Sequence, residues 1–393
     1  MPRLVSPSTA TARRAVRSLP LLGWLAVVWI GMGIFVIVTA EILPIGLLTS
    51  IGSTFGVSDG TAGLTMTMPG LLAAVSAPIV AVAAGGLDRR TLLCGLMLLL
   101  AVANVLAATA ASYAVVVASR ALVGIVIGGF WSIGAGLAAR LVRPERVGVA
   151  TAVIFSAVPL GSVFGVPAGT FIAQYGGWRS TFVVLGALSV IVLVALVVVL
   201  PPLPAERPVR FAALTGLAGG STGRTAVILT ALVVTAHFGT YTYVTPFLQV
   251  TGVGSVTPFL LVYGVAGVVG NFVAGAAVRL RLRATMTASA VALASVTAML
   301  PAFGTATIGA MVLLAVWGFA YGAVPICSQS WFAAAGATEA ASVLFTSSFQ
   351  ATIALGAVLG GVVVDATSPS ILMVLGSGAA LLAALVSARS ANP

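Results

Sequence analysis

Residues 21–51 read LLGWLAVVWIGMGIFVIVTAEILPIGLLTSI, and this stretch decides how the rest of the chain is interpreted. Glu41 is the only charged residue in it. Since about twenty apolar residues are enough for a helix to cross a bilayer, the stretch predicts a membrane-spanning helix. A charged side chain at mid-bilayer costs roughly 2.5–3.5 kcal/mol on insertion scales, so Glu41 is predicted to be a proton or substrate site or the partner of an opposite charge. The alternative is that Pro44 ends the helix and leaves Glu41 in water.

The composition extends this interpretation to the whole chain. Hydrophobic residues make up 60% of the 393 residues and charged residues only 6%, whereas soluble domains carry about 25% charged residues. The mean hydropathy is +1.20. The alternating polarity of barrel strands is not visible, so an all-α integral membrane protein is predicted.

The charge and the reactive residues exclude two classes of function. The net charge of +11 does not indicate nucleic-acid binding, because all eighteen basic residues are arginines and most lie in short gaps between apolar runs. One histidine and two distant cysteines, Cys94 and Cys327, are too few for the clustered nucleophiles, bases or metal ligands of a membrane-embedded enzyme. We therefore predict no enzymatic activity, no catalytic residue, no metal and no cofactor.

The basic N-terminal arm raises the question of a signal peptide. Its arginines precede an apolar run that is longer than the 7–15-residue core of such peptides. We expect an uncleaved first span, although residues 38–40 resemble a cleavage site.

Twelve apolar stretches predict twelve membrane-spanning helices. Their approximate bounds are 21–47, 61–84, 91–110, 113–139, 148–172, 181–200, 225–247, 258–278, 284–301, 306–332, 340–364 and 370–386. The longest polar interruption divides them into two sets of six. The predicted organisation is a cytoplasmic arm 1–20, an N-terminal six-helix bundle 21–200, a cytoplasmic central loop 201–224, a C-terminal six-helix bundle 225–388 and a cytoplasmic tail 389–393.

The two sets resemble each other. Gly124 and Gly128 correspond to Gly318 and Gly322 at a shift of 194 residues, and Glu145 and Glu339 are related by the same shift. Two six-helix pseudo-symmetric repeats are the plan of many secondary transporters, whose substrate site lies at mid-membrane between the repeats.

Arginine placement predicts the orientation. With a cytoplasmic N-terminus, 16 of the 18 arginines fall in cytoplasmic segments, Arg179 falls outside and Arg120 lies within a span. Cytoplasmic segments of membrane proteins carry an excess of basic residues. We therefore expect a multi-pass membrane protein with both termini in the cytoplasm.

The fourth span carries a second membrane-embedded charge. Arg120, Gly124 and Gly128 are spaced by four and share one helix face. The glycines permit close helix contact, while the arginine needs a partner because it cannot readily lose its proton. We hypothesise that Arg120 faces the same cavity as Glu41 and couples to it electrostatically. The alternative is that Arg120 snorkels to the outer surface.

The order of these motifs resembles the major facilitator superfamily. It is most similar to the twelve-span drug:proton antiporters and the related sugar and purine efflux permeases of bacteria. The resemblance covers nearly the whole chain, and the segments that carry it are 39–48, 85–90, 120–128, 161–169, 177–179, 241–248 and 270–275.

The resemblance implies a location in a bacterial inner membrane, and it implies alternating access, in which two bundles rock around a central cavity. It also implies proton-coupling roles for Glu41 and Arg120, and that the glycine–proline stripe of span five is the one associated with exporters. The residues that belong to the conformational and packing motifs are Gly85, Asp88, Arg89, Arg90, Gly124, Gly128, Arg140, Gly161, Gly165, Pro167 and Gly169.

The expected function is export of a small apolar or amphipathic, drug-like molecule in exchange for protons. The alternative within the same fold is a sugar, purine or nucleoside efflux permease. A passive channel fits two repeats of six spans less well. The expected partners are the small-molecule substrate, protons and the lipid bilayer, with no nucleic acid, and the protein is expected to be a monomer. Candidate substrate-binding residues are Phe35, Asn104, Trp131, His237, Tyr241, Tyr243, Gln329 and Gln350.

Overall fold

The computed structural model describes residues 20–83, 86–133, 137–204, 211–252, 254–336 and 339–390. These residues form helices joined by short turns, and no strand occurs among them. Ten of the helices are long and apolar enough to cross a membrane. The predicted all-α membrane fold is therefore confirmed.

The helices are distributed over two halves of the chain. Those of the first half are Pro20–Ile42, Pro44–Phe55, Asp59–Ala62, Leu64–Ala83, Arg89–Ala108, Tyr113–Ile133, Ala138–Leu141 and Val147–Val199, together with the 3-10 turn Pro144–Arg146. Those of the second half are Phe211–Gly219, Ser221–Tyr241, Val244–Val250, Thr257–Phe303, Thr307–Gly322, Val324–Ala335, Glu339–Ala366 and Pro369–Arg389.

Two of these helices each contain two spans. Val147–Val199 has 53 residues, which correspond to about 80 Å at 1.5 Å per residue, whereas the hydrocarbon core is about 30 Å thick. It breaks at Gly177, whose φ of 71° lies in the left-handed region that glycine adopts readily. Thr257–Phe303 breaks at Arg281, where φ is −147° and ψ is 61°. Splitting both helices turns the ten into twelve, which we number as spans 1–12 in chain order.

The spans alternate in direction and define two ends of the bundle. We call the end that holds Asp88 and Arg389 the near end, and the end that holds Asp59 and Asp365 the far end. Arg179 lies at the far end, where it contacts the Ala110 carbonyl. The described arginines at the near end are Arg89, Arg90, Arg140, Arg143, Arg146, Arg224, Arg279, Arg281, Arg283 and Arg389.

Span 1 continues past Pro44, the residue at which the alternative interpretation ended it. The helix Pro20–Ile42 is followed, after a turn at Leu43, by Pro44–Phe55. Pro44 therefore interrupts the span in its interior without ending it. Glu41 lies just before this interruption, well inside the span.

The predicted central loop contains a helix. Within 201–224, residues Phe211–Gly219 are helical, and span 7 already begins at Ser221. Leu214 on this short helix is buried against Ala81 and Val343 at the near end. Leu214 of this segment thus packs on a protein surface, a contact that the prediction of a central loop did not include.

The charged motif residues Asp88, Arg89 and Arg90 lie at the start of span 3. The helix of span 3 begins at Arg89, and the Asp88 side chain caps it by accepting hydrogen bonds from the Arg90 and Thr91 amides at 2.9 and 3.3 Å. A carboxylate at this position satisfies free helical N–H groups and complements the helix dipole. Gly85 lies outside the described residues.

Glycines bring neighbouring spans into close contact. A Cβ on Gly124 would collide with the Pro69 main chain, and one on Gly128 would collide with the backbone at Ala73. Spans 4 and 2 therefore pack backbone to backbone, as small residues permit. In the second half Gly318 packs in the same way on Tyr263, joining spans 10 and 8. The repeat noticed in the sequence thus corresponds to the same helix contact in both halves.

The stripe of span 5 packs against span 1. A Cβ on Gly161, Gly165 or Gly169 would meet Val38, Thr39 or Leu43, respectively, which are residues close to Glu41. The stripe consequently fixes span 5 against the segment of span 1 that carries the carboxylate.

The buried apolar residues form two large clusters, one for each half. The first consists of residues between 26 and 203. The second consists of residues between 226 and 384, joined by Ile45, Met66 and Val166 of the first half. Each six-span half has its own core, and a small number of first-half side chains reach into the other.

Candidate transport site

Glu41 lies between the two halves. Its side chain is only 8% exposed. The carboxylate atom Oε1 accepts a hydrogen bond of 2.8 Å from Nε2 of Gln350, which belongs to span 11. The one acidic residue inside span 1 is therefore bonded directly to the opposite half.

Arg120 lies next to Glu41 but binds main-chain oxygens. Its side chain is 1% exposed. Nη2 donates to the carbonyls of Ala40 and Glu41 at 2.7 and 3.1 Å, and Nε donates to the Thr65 carbonyl at 3.1 Å. The guanidinium thus joins spans 1 and 2 from span 4, and it does not snorkel to a surface.

Two prolines explain why these carbonyls are available. In a regular helix the carbonyl of residue i accepts the N–H of residue i+4, and proline has no N–H. Pro44 therefore leaves the Ala40 carbonyl without its helical donor, and Pro69 does the same for Thr65. Arg120 donates to both of these oxygens. The buried charge is solvated by backbone dipoles that the prolines have freed.

A third proline-freed carbonyl lies at the interface of the halves. Pro78, inside span 2, leaves the Ala74 carbonyl without its helical donor. Ser347 Oγ of span 11 donates to this oxygen at 2.5 Å. Spans 2 and 11 are thus joined by a polar contact at a helix defect, one turn from Gln350.

Further polar contacts close the far end between the halves. Asp365 accepts hydrogen bonds from Ser58 Oγ at 2.6 Å and from the Gly60 amide at 2.8 Å. Thr245 Oγ1 donates to the Ile45 carbonyl at 2.7 Å. Spans 5 and 8 are joined through three more side chains, Thr170 with Thr257 at 2.9 Å and Gln174 with Thr257 at 3.2 Å. The described hydrogen bonds between the halves lie at mid-bundle and at the far end.

An aromatic group surrounds His237 in the second half. The imidazole is 2% exposed and lies parallel to the Tyr321 ring, with centroids 3.4 Å apart and an interplanar angle of 8°. Trp317 Nε1 donates to Nδ1 of His237 at 3.0 Å, and Nε2 lies 3.3 Å from the Tyr263 hydroxyl. Indole nitrogen is only a donor, so Nδ1 carries no proton and the proton of the neutral ring is on Nε2.

The remaining substrate-binding candidates lie in different surroundings. Phe35 and Trp131 are half-buried in the first half, and Trp131 packs on Phe155 with centroids 6.0 Å apart. Asn104 is buried within the same half, where its amide donates to the Leu100 carbonyl and to Ser189. It bonds between helices and does not join the Glu41 group.

Three other candidates belong to the second half. Tyr241 stacks on His237 at 5.1 Å and belongs to the aromatic group. Tyr243 is fully buried near the far end, where its hydroxyl donates to the Ala357 carbonyl at 2.7 Å. Gln329 is exposed. The structure thus brings Gln350 to Glu41, and His237 to Tyr241, but does not unite all candidates.

The charged motif residues at the near end bind main-chain oxygens. Arg90 Nη2 donates to the Val197 carbonyl at 2.6 Å and Arg140 Nη2 donates to the Pro204 carbonyl at 2.7 Å. Arg89 is buried, and its amide donates to the Leu203 carbonyl. These arginines hold the ends of spans 3, 4 and 6 together within the first half.

Several residues of the site had no marked sequence signal. Asp365 was not singled out because it ends an apolar run, and Ser347 and Tyr321 because they are uncharged. Ser347 had an indirect signal, since Pro78 implies that a carbonyl four residues earlier needs another donor. The partner itself follows only from the packing of spans 2 and 11.

A twelve-span helical protein with two pseudo-symmetric halves and buried polar contacts between them is a membrane transporter in architecture. The family model described as Major Facilitator Superfamily matches residues 28–345. Since that match covers most of the chain, the protein belongs to the major facilitator superfamily and is a transporter of that family.

The chain is also similar to one curated protein and to several solved structures. The chain is 32% identical over 382 residues to the Pseudomonas aeruginosa protein named transcription regulatory protein OpdE, covering 94% of this chain and 95% of that one. Its fold is similar to that of the nucleoside transporter NupG, with a TM-score of 0.77 and 12% identity over 93% of this chain and 99% of the other.

The fold is also similar to a bacterial homologue of the human lysosomal transporter Spinster in an inward-facing, unoccupied conformation. The TM-score is 0.70 and the identity 17%, with 96% of this chain and 95% of the other covered. The human organic anion transporter MFSD10 gives a TM-score of 0.68 and 19% identity, with 93% and 99% covered. At these identities the likeness concerns the fold.

Proposed function

We propose that the protein exports a small apolar or amphipathic molecule in exchange for protons, by alternating access of its two halves. The observation that carries the proposal is the hydrogen bond of 2.8 Å between Gln350 of one half and the buried Glu41 carboxylate of the other. Because this bond crosses the interface, a change in the protonation of Glu41 acts directly on the contact between the halves.

The Gln350 amide suits both protonation states of Glu41. In the ionised state its Nε2 donates to the carboxylate. Its Oε1 is buried without a hydrogen-bond partner among the described residues. A protonated Glu41 donates its O–H to that oxygen, so the acid and the amide then form two hydrogen bonds where the ion forms one. Proton exchange thereby changes the strength of a bond between the halves.

The proposed orientation places the near end in the cytoplasm. The arginines cluster at the near end, and cytoplasmic segments carry the excess of basic residues. Polar contacts such as Asp365 with Ser58 then close the outer face. In this orientation the exporter would load its substrate from the near end.

The transport cycle follows from the competition for Glu41. In the inward-open state the substrate displaces the proton, and in the outward-open state Glu41 takes a proton and releases the substrate. A ligand shifts the equilibrium between these states only by its differential affinity for them. The packing of Gly165 on Thr39 supports a fixed relation between span 5 and the Glu41 segment while the halves move. We propose that a single chain is the transporting unit.

The test first identifies a substrate and then asks about its coupling. Thermal unfolding of the purified chain is measured with a panel of drugs, sugars and nucleobases. A ligand at 100 times its dissociation constant raises the unfolding free energy by about 2.7 kcal/mol. The stabilising compound is then loaded into vesicles that contain the protein, and its flux is measured with an imposed pH gradient.

Glu41→Gln is expected to abolish the gradient dependence while exchange of labelled for unlabelled substrate continues. Glu145→Gln serves as the matched control, because Glu145 is exposed at the near end. Unchanged gradient-driven flux in Glu41→Gln would remove Glu41 from the proton pathway and overturn the proposal.

A further inference from the structure

An acidic residue from each half lies at the far end of the bundle. Asp59 is at the start of span 2, and Asp365 is near the end of span 11. The Asp365 carboxylate accepts hydrogen bonds from Ser58 Oγ at 2.6 Å and from the Gly60 amide at 2.8 Å. Both neighbours of Asp59 in the sequence are therefore bonded to the carboxylate of the other half, and the two carboxylates interact electrostatically.

The two carboxylates differ in the hydrogen bonds that they receive. Asp365 receives two, and hydrogen bonds to the charged form of a carboxylate favour that form. Asp59 is half-buried, and its carboxylate accepts no hydrogen bond from the described residues. Two carboxylates that share a site cannot both be ionised without cost. Asp59, which lacks the hydrogen bonds, is therefore the one that takes a proton first.

The other charged and titratable groups around the pair are bonded to main-chain oxygens. Tyr113 of span 4 and Tyr243 of span 7 each donate to a carbonyl, at 2.6 and 2.7 Å. Tyrosine ordinarily titrates near pH 10, so both stay neutral in mild acid. Arg179 donates to the Ala110 carbonyl. The end of span 1, residues 44–55, also packs here and has no titratable side chain.

We propose that Asp59 and Asp365 form a proton-sensitive latch between the halves at the far end. When Asp59 is ionised, it repels the Asp365 carboxylate and weakens the hydrogen bonds that join Asp365 to Ser58 and Gly60. When Asp59 is protonated, this repulsion is absent and the far end is held closed more firmly. Glu41 takes no part in the latch, so the inference goes beyond the proposed function.

The latch would respond to the acidic side of the membrane. In the proposed orientation the far end faces the outside, from which protons enter during exchange. Acid at that face then favours closure of the far end after the substrate has left. This role rests on the proposed function, whereas the latch itself does not.

The test measures the distance between the halves at the far end as a function of pH. Spin labels are attached after Ser112→Cys in the first half and Thr305→Cys in the second, both exposed positions at the far end. Cys94 and Cys327 are replaced by alanine and Glu41 by glutamine throughout, so that neither native thiols nor Glu41 contribute. Pulsed EPR of the full chain in lipid nanodiscs then gives the populations with short and long distances, which are the closed and open far end.

The ratio of open to closed populations is expected to fall about threefold from about pH 7.5 to about pH 4.5, the size expected for one charge pair near the surface. Asp59→Asn is expected to show the lower ratio at both pH values, because the repulsion is removed permanently. Asp365→Asn is expected to show a higher ratio at both, because the charged acceptor is lost. Glu145→Gln is the matched control, since Glu145 is exposed at the near end, and it keeps the pH dependence.

The opposite signs of Asp59→Asn and Asp365→Asn distinguish the latch from a merely structural role of either acid. A ratio that does not change with pH while both acids are present would overturn the inference, as would a higher ratio in Asp59→Asn at the higher pH. If Asp59→Asn does not fold, the pH dependence with both acids present and its loss in Asp365→Asn still decide the matter. Unchanged gradient-driven flux in Glu41→Gln, measured separately, would contradict the proposed function and leave the latch standing.

Discussion

Replacing Arg120 by leucine tests whether its role is to satisfy the carbonyls that prolines have freed. The substitution removes three hydrogen bonds and leaves the Ala40 and Thr65 carbonyls buried without donors. An unsatisfied buried group costs about 1–3 kcal/mol, so two of them set an upper range of about 2–6 kcal/mol. Hydrogen bonds between membrane helices average only about 0.6 kcal/mol, and the variant no longer buries a charge. We therefore expect Arg120→Leu to lower the free energy of unfolding by about 2 kcal/mol, near the lower limit of that range.

The same reasoning predicts that removing a proline compensates for the loss of the arginine. Pro44→Ala supplies an N–H that can serve the Ala40 carbonyl. Pro44→Ala changes the free energy of unfolding in the wild type and in Arg120→Leu. Its effect is expected to be more favourable by about 1 kcal/mol in Arg120→Leu, since there it satisfies one of the two carbonyls left without donors. The free energies of unfolding of the wild type, the two single variants and the double variant form a double-mutant cycle. They are measured by reversible unfolding in mixed detergent micelles.

Two controls make this cycle specific. Pro159→Ala also restores an N–H, but in span 5, whose freed carbonyl is not one that Arg120 binds, so its effect is expected to add to that of Arg120→Leu. Arg146→Leu removes an exposed arginine and is expected to change stability by less than about 0.5 kcal/mol. If Arg120→Leu and Pro44→Ala are additive within about 0.5 kcal/mol, the carbonyls are not what Arg120 serves, and the reasoning fails.

Three further substitutions test the contacts that close the bundle. Asp365→Asn removes a charge-assisted hydrogen-bond acceptor at the far end. A cysteine placed at Leu48 is then expected to be labelled about fivefold faster, since such bonds contribute on the order of 1 kcal/mol when exposed. An unchanged labelling rate would mean that this contact does not hold the far end closed. Gly165→Ala is expected to lower the unfolding free energy by about 1–3 kcal/mol because its Cβ meets Thr39. In the control Gly148→Ala the Cβ meets open space, so this variant should be neutral or more stable by up to about 1 kcal/mol. Thermal unfolding shows whether each variant is less or more stable than the wild type. Ser347→Ala leaves a proline-freed carbonyl of span 2 without its donor, and should cost about 1 kcal/mol in the same assay.

The fold was accessible from the sequence because a membrane restricts the possible structures. Apolar runs of sufficient length can only be helices or barrel strands, so their positions give the spans directly. The recurrence of Gly124 and Gly128 as Gly318 and Gly322 indicated two related halves, and in the structure these glycines pack on span 2 in the first half and on span 8 in the second. The helix Phe211–Gly219 was missed because its apolar side chains are stabilised by packing at the near end, which hydropathy does not register.

The site was accessible only in part. Glu41 and Arg120 stood out because each is costly in an apolar run, and the structure brings them together. Their bonding partners did not stand out. Gln350 lies 309 residues from Glu41 in sequence, and a single glutamine in a span has no local signal that names its partner. The carbonyls that Arg120 binds are main-chain atoms, and these carry no side-chain signature at all.

The prolines inside spans would have indicated some of the main-chain oxygens that buried side chains bind. A proline inside a span deprives one carbonyl, four residues earlier, of its helical donor, so that a donor from elsewhere can bind it. Pro44, Pro69 and Pro78 each lead to such an oxygen, and each oxygen is bound by a side chain from another span. Reading these prolines only as kinks or helix ends discards this information.

The side chains that donate to buried oxygens at this site differ in whether their hydrogen bonds cross the interface between the halves. Arg120 binds three carbonyls of its own half, so none of these bonds crosses the interface between the halves. Ser347 serves a carbonyl of the opposite half, and Gln350 and Asp365 likewise bond across the interface. In the proposed transport cycle, rocking of the halves would break bonds of this second kind and spare the first. The buried guanidinium would then keep its partners throughout the cycle, whereas Glu41, the proposed proton carrier, is bonded to a partner in the opposite half.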